Sequence, residues 1–382
     1  MKTKQKIING RVFEKQGHFI EGSVCFFEGR ILSQEDYEKL PCEETVIDAK
    51  GCYVIPGLTD IHFHGCMGSD CCDATEEAFR TMARYELRQG VTSITPATMT
   101  VSEETLSAIC RTARTFESSD GADFCGLYME GPFISPAKKG AQNGKYVHPA
   151  DTAMLNRLSD LSGGKIRTVV VAPETEGALD FISENHGRIN ISIAHTTADY
   201  DTAKEAIERG ASQLTHLYNA MPPFSHRAPG PIGAAADDSS CMAELICDGI
   251  HIHPAVVRTT FKMFGDERII LISDSMRATG MEDGEYDLGG QKVIVRGNLA
   301  VLEDGTIAGS ATNLMDCVRT AVKKMDIPLA SAVKCAAVNP ARAVGIDDDY
   351  GTLEPGKYAN IVILNDELEI EKIFHHGCIV ED

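Results

Sequence analysis

Four histidines and two carboxylates stand at the ends of apolar runs in this 382-residue chain. The runs are Tyr53-Val-Ile-Pro-Gly-Leu-Thr-Asp-Ile-His62-Phe-His64, Phe124-Cys-Gly-Leu-Tyr-Met-Glu130, Ile191-Ser-Ile-Ala-His195, Ser212-Gln-Leu-Thr-His216 and Ile269-Ile-Leu-Ile-Ser-Asp274. Imidazole and carboxylate are the donors that divalent transition metals prefer, zinc and iron foremost, with manganese and cobalt accepted by the same set. His62 and His64 are two apart, so on a strand they face one side. A barrel of parallel strands gathers its strand C-termini around a single pocket. Ligands placed at those ends predict a metal-dependent hydrolase holding one or two ions per chain. Glu130 can bind one ion or bridge two. Asp274 has a second role open to it. A bound metal lowers the pKa of its water to about 7, and a nearby carboxylate can take the remaining proton and pass it to a leaving amine.

Polar residues follow the same strand ends closely. His216 runs directly into Asn219 and Ala220, Arg227 follows in Ser225-His-Arg-Ala-Pro-Gly230, and His251 lies in Cys247-Asp-Gly-Ile-His. Arg227 and His251 can supply charge-assisted hydrogen bonds to a phosphate, with backbone N–H groups near Asn219 adding donors. Loop arginines and histidines are otherwise ordinary solvated surface, and Lys138-Lys139 reads equally as a solvated pair. His18, His186, His375 and His376 fall in turn-like or terminal contexts and read as structural.

The elements that must position these groups alternate between strand and helix. Residues 75–89 form a helix capped by Thr75, with Glu76 and Glu77 in its first turn, and Ser102 caps another. Strands at 91–95, 124–130, 166–172, 191–195, 212–216, 243–248 and 269–273 join the one that reaches His62. That makes eight, the number of a (β/α)8 barrel. The fold class expected is α/β, a TIM-like barrel over residues 54–344. Residues 285–307 break the alternation and read as an inserted β-hairpin. Residues 1–53 and 345–382 carry short strands punctuated by glycine and are expected to pair into one small β-sandwich.

Composition narrows the setting. Hydrophobic residues make up 43% of the chain, enough for a large core, which excludes a disordered protein. The net charge of −20 disfavours nucleic acid and anionic membranes as partners, although a few local cations can still hold an anionic substrate. No run is long enough to span a membrane, and no apolar segment of signal-peptide type follows the basic N-terminus. Thirteen cysteines without regular spacing fit a reducing, cytoplasmic setting. Cys66, Cys71 and Cys72 lack a partner pair with zinc-finger spacing and read as ordinary thiols.

His62-Phe-His64-Gly after Pro56-Gly-Leu-Thr-Asp60 resembles the amidohydrolase superfamily. Several further motifs are more specific: Glu130-Gly-Pro-Phe-Ile, Lys138-Lys-Gly-Ala, His216-Leu-Tyr-Asn-Ala-Met, Asp248-Gly-Ile-His251, Ser273-Asp274, Ala308-Gly309-Ser310 and Asn339-Pro-Ala-Arg. Together they resemble the N-acetylglucosamine-6-phosphate deacetylase family over nearly the whole chain. The resemblance implies that Glu130, His195 and His216 form the family's common metal site. It implies that His62, His64 and Asp274 complete a second site bridged by Glu130. Asn219, Ala220, Arg227 and His251 match sugar-phosphate contacts, with Gln142, Gly309 and Ser310 also beside the substrate. Some of these contacts, Arg227 and His251 among them, reach the pocket from a neighbouring subunit, which implies a homodimer. Gln142 stands where one-metal members carry a histidine, which fits the two-metal branch. After Asp274, Arg277 is expected to point to solvent. The implied reaction is release of acetate from N-acetylglucosamine 6-phosphate in amino-sugar metabolism. Three readings compete: an N-acetylgalactosamine-6-phosphate deacetylase, a dihydroorotase-like cyclic amidohydrolase and a non-catalytic sugar-phosphate sensor.

Overall fold

The computed structural model describes residues 3–381. Seven parallel strand segments form one curled sheet: Ala97–Thr98, Leu127–Met129, Ile166–Val171, Asn190–Ile193, Gln213–Leu214, Met242–Ile246 and Ile269–Ile272, in that order. A second parallel sheet orders Leu58–Asp60, Val91–Ile94 and Asp123–Phe124. The two run into each other along the chain, since Val91–Ile94 leads into Ala97–Thr98 and Asp123–Phe124 into Leu127–Met129, with Tyr128 N donating to Pro96 O at 3.0 Å. At the far side Asp274 N donates to His62 O at 3.0 Å, so the last strand's exit meets the first strand's exit. Parallel strands need long crossovers, and helices supply them here.

Those helices start where short polar side chains can satisfy free backbone N–H groups. Thr75 caps Glu76–Arg88, Ser102 caps Glu103–Thr115, Asp151 caps Thr152–Ser162 and Asp199 caps Tyr200–Glu208. Each helix buries an apolar stripe on the sheet. Phe79, Met82 and Leu87 do so from one, and Leu106 and Ile109 from the next. Each such side chain contributes about 1.5–3 kcal/mol relative to exposure.

The barrel-type interior is partly polar. Tyr128 Oη and Ser192 Oγ each lie 2.6 Å from Thr215 Oγ1, and Thr59 and Ser93 pair at 2.8 Å. The Tyr128 ring stacks on His62 with centroids 4.4 Å apart. This layer forms a floor of satisfied hydroxyls beneath the strand ends.

The two chain ends meet in one eight-stranded sheet. Tyr53–Pro56 lies between the first strand, Lys4–Glu14, and the late strand Ile361–Leu364. Residues 285–307 do not form a simple hairpin. Gly284–Leu288, Gln291–Arg296 and Leu299–Leu302 make a three-stranded antiparallel sheet, because a second turn at Gly297 brings the chain back once more. Its inner face, with Leu288, Val293 and Val295, packs on Met99 and Met276 beside the strand ends. Among the described residues no helix is long and apolar enough to cross a membrane, and all thirteen cysteines are free thiols.

Candidate metal centre

Six side chains converge where the parallel strands end. His62 and His64 follow Leu58–Asp60, Glu130 follows Leu127–Met129, and His195 lies two residues past Asn190–Ile193. His216 lies two past Gln213–Leu214, and Asp274 two past Ile269–Ile272. Strict alternation along the strands would not aim all of them inward. Ser192 and Thr215 already occupy the inward positions, so His195 and His216 fall out of phase. Both adopt left-handed backbone, with φ of 46° and 31°, and Asp274 does the same at 49°. Non-glycine residues seldom accept that conformation, and it turns up preferentially at functional sites.

Glu130 is the centre of the cluster. Its Oε1 lies 2.9 Å from His216 Nε2 and 3.1 Å from His195 Nε2. Its Oε2 lies 3.2 Å from His64 Nε2, and Gln142 Nε2 donates to the same oxygen. Asp274 Oδ1 faces the other pair, 3.4 Å from His64 Nε2 and 3.8 Å from His62 Nε2. Two ligand groups result, Glu130 with His195 and His216, and Asp274 with His62 and His64. Within each group the donor atoms lie within 4.8 Å of one another. Every member is buried.

The histidines are oriented from behind. His195 Nδ1 contacts Lys138 O at 2.9 Å, His64 Nδ1 contacts Ala97 O at 3.3 Å, and His62 Nδ1 contacts Glu244 Oε2 at 2.9 Å. An Nδ1–H donated to an oxygen leaves the Nε2 lone pair free for a metal, and such partners hold the ring in place. Glu244 is fully buried, accepts from Gln213 Nε2 at 2.5 Å and from His216 N at 3.2 Å, and so ties three strands together. Sequence reasoning missed Glu244. The available signal was an acidic residue in the middle of the apolar strand Met242–Ile246.

The donor set fits a cation. His62 Nε2 is buried without a hydrogen-bond partner, and the Nε2 atoms of His195 and His216 sit 3.2 Å apart, aimed at one oxygen. Burial pulls the His62 pKa down, but Glu244, Glu130 and Asp274 outweigh it and raise it to about 9. Burial opposes the charge on Glu130 and Asp274 as well. The surrounding imidazoles still hold Glu130 well below the usual carboxylate range and lower Asp274 too. Buried carboxylates that attract protons onto their histidines would equally attract a divalent ion.

The cluster opens on a cavity of about 370 Å³. Asn219, Ala220, Gln142, His251 and Gly309 line it, with Met99, Leu288 and Ile307 as an apolar wall. Ser310 is buried one step behind, where its N–H donates to Asp274 O at 2.7 Å and its Oγ donates to Ser273 O at 2.6 Å. His251 pairs with Asp248 Oδ2 at 2.7 Å. Burial lowers the His251 pKa, but Asp248 reverses the direction and leaves it raised. His251 therefore lines the cavity of its own chain. Arg227 does not. It is exposed on the loop beyond Met221, at a separate surface groove also lined by Pro222, Tyr200 and Pro229, and does not line the cavity. Arg277 is neither in the cavity nor free in solvent. It bonds Asp73 Oδ1 at 2.9 Å, Gly68 O at 3.0 Å and Asp287 O at 3.1 Å, which ties the inserted sheet to the loop after His64. Cys66, Cys71 and Cys72 take no part in either ligand group.

The amidohydrolase family model matches residues 53–380. The chain belongs to the amidohydrolase family. Within that family it is 35% identical over 356 residues to the N-acetylglucosamine-6-phosphate deacetylase of Bacillus subtilis (strain 168), covering 91% of this chain and 90% of the relative. It is 34% identical over 370 residues to the N-acetylgalactosamine-6-phosphate deacetylase of Escherichia coli O157:H7, covering 96% and 97%. Among solved structures, it superposes on the Pasteurella multocida N-acetylglucosamine-6-phosphate deacetylase with a TM-score of 0.91 at 27% identity, covering 99% and 100%. A mutant of the Mycobacterium smegmatis enzyme, in complex with N-acetyl-D-glucosamine-6-phosphate, gives a TM-score of 0.89 at 30% identity and covers both chains completely.

Proposed function

We propose that this protein hydrolyses the acetamide of N-acetylglucosamine 6-phosphate to acetate and glucosamine 6-phosphate. The observation that carries this reading is a buried, cation-seeking cluster facing a polar cavity, in a chain whose relatives of near-equal length bear that activity. In this reading the parallel strands make the complete (β/α)8 barrel, and the sheet of chain ends makes the small β-sandwich.

Glu130, His195 and His216 would hold one divalent ion, and His62, His64 and Asp274 a second, with Glu130 between them. When bound, such an ion polarises the amide carbonyl and acidifies a water. The chain's own residues do the rest. Asp274, lowered in pKa and facing the cluster, accepts the water's proton and returns it to the departing nitrogen. Gln142 holds one Glu130 oxygen, which keeps the carboxylate oriented between the two ligand groups. His251, kept basic by Asp248, offers a cationic donor to the sugar phosphate, and Asn219 and Ala220 line the path to it. Arg227 is too exposed to serve its own cavity, and we assign it to the cavity of a partner copy in a homodimer. Glu130, rather than a lysine, stands between the two ligand groups, which disfavours a dihydroorotase-like enzyme, and a complete ligand set disfavours a non-catalytic sensor.

A second reading, the N-acetylgalactosamine 6-phosphate reaction, is favoured by the Escherichia coli relative. The two sugars differ in the configuration of one hydroxyl. Acetate release from both, assayed side by side, tests the proposal. Faster turnover of the gluco sugar is expected, and faster turnover of the galacto sugar would replace the substrate named here.

A further inference from the structure

A second cluster of metal-type ligands lies at the opposite end of the barrel strands. Asp123 opens the strand Asp123–Phe124, at the start of the segment that finishes with Leu127–Met129 and Glu130. The last residue of Ile370–His375 and its neighbour His376 meet this aspartate. His376 Nε2 lies 2.9 Å from both Asp123 oxygens. His375 Nε2 lies 3.2 Å from Asp123 Oδ2, yet it is buried and its angle makes no hydrogen bond. The three donor atoms lie within 4.8 Å of one another.

We infer that Asp123, His375 and His376 form a metal site of their own, remote from the catalytic cluster, for a divalent transition ion of zinc type. Zinc bonds nitrogen and carboxylate oxygen at about 2.0–2.2 Å, so tetrahedral ligand atoms stand about 3.3 Å apart. The contacts seen here need to open by only a few tenths of an ångström. The site is also supported from outside. Tyr350 Oη donates to Asp123 Oδ2 at 3.0 Å, which orients the carboxylate. The Tyr358 ring packs edge-on against His376 at 4.3 Å, and Arg30 lies over Tyr358 at 3.7 Å. His376 itself takes left-handed backbone, φ 48°, which swings its ring toward the same oxygen pair as its neighbour. Three protein ligands leave one tetrahedral position for water.

The consequence is mechanical. An ion here joins the late strand Ile370–His375 of the end sheet to Asp123–Phe124 of the three-stranded parallel sheet and stabilises the folded chain by mass action. Without an ion, His376 and Tyr350 hydrogen-bond Asp123 while His375 Nε2 is left without a partner. The two states differ in what zinc does.

The test uses the full-length protein, stripped with a chelator and dialysed to equilibrium against zinc chloride. Zinc per chain is measured by mass spectrometry for the wild type, Asp123→Asn and His375→Gln, with circular dichroism to establish folding. Each folded variant is expected to hold one zinc fewer than the wild type, to show a smaller zinc-induced rise in Tm, and to release acetate at the wild-type rate. The thirteen thiols contribute the same background to all three proteins. Equal zinc content and an equal Tm rise in wild type and variants would overturn the site. Should Asp123→Asn fail to fold, His375→Gln decides, because it leaves the His376–Asp123 contact in place.

Discussion

The six-residue cluster around Glu130 and the loop that carries Arg227 emerge from the same end of the parallel sheet, and they are built in opposite ways. Every residue of the cluster is buried, and three of its four histidines are held from behind through Nδ1. The Arg227 loop is solvent-facing, and Phe224 beside it is 50% exposed. Reaction chemistry requires groups fixed within a fraction of an ångström, so it is placed on strand ends and braced by buried partners. Recognition of a substrate's distal charge tolerates looser geometry and can sit on loops. His251 falls between the two, buried and paired with Asp248 but presented by a loop.

This contrast predicts effects of graded size. The largest falls on Asp274. Asp274→Asn should lower kcat by about 100-fold or more, the usual size of a lost general acid–base. Metal content measured on the same sample must stay unchanged for the proton role to stand; if metal is lost too, Asp274 acts chiefly as a ligand. Next comes Glu244→Gln, which keeps the shape but removes the charge behind His62. Metal affinity should fall roughly 10–100-fold, as for other outer partners of metal-bound histidines. Equilibrium dialysis reads this directly, and unchanged affinity would show that the cluster does not depend on its bracing.

Effects should shrink toward the rim. The His251 pKa is raised, so its cationic form persists above the usual histidine range and disappears as pH rises through the elevated value. Substrate binding should weaken over that interval. Asp248→Asn should bring the weakening to lower pH, because Asp274 alone then opposes burial, and KM profiles against pH for the two proteins measure the shift. Arg227→Ala should raise KM by roughly 2–10-fold, the net size of one ordinary solvent-accessible hydrogen bond. kcat should stay near wild type, and a large fall in kcat would mean that the loop is as rigidly coupled as the cluster. Smallest of all, Arg277→Ala should cost about 1 kcal/mol or less, since its ion pair with Asp73 is partly exposed. A thermal melt records this as a slight loss in Tm.

Much of this was legible in the sequence because strand ends and helix caps have local signals. His62, His64, Glu130, His195, His216 and Asp274 ended apolar runs, and Thr75 and Ser102 marked helix starts that the structure reproduces. What was not legible depends on contacts between distant segments. Glu244 gains its meaning only where His62 comes within 2.9 Å, 182 residues away in sequence. The left-handed turns at His195, His216 and Asp274 have no glycine or asparagine to announce them. The third strand of the insertion depends on a turn that pattern alone does not distinguish from the end of a hairpin. Arg277 reads as a solvated side chain until the loop at Gly68 and Asp73 folds against it.

Metal-dependent amide hydrolysis of an N-acetylated sugar phosphate, as proposed for this cluster, has a direct test. Acetate and free amino sugar should be quantified together, from N-acetylglucosamine 6-phosphate, with protein as purified, stripped of metal, and reloaded. Equal amounts of both products, loss of turnover on stripping and recovery on reloading are expected. Full turnover by protein shown to be metal-free, or no acetate from fully loaded protein, would contradict the proposed chemistry.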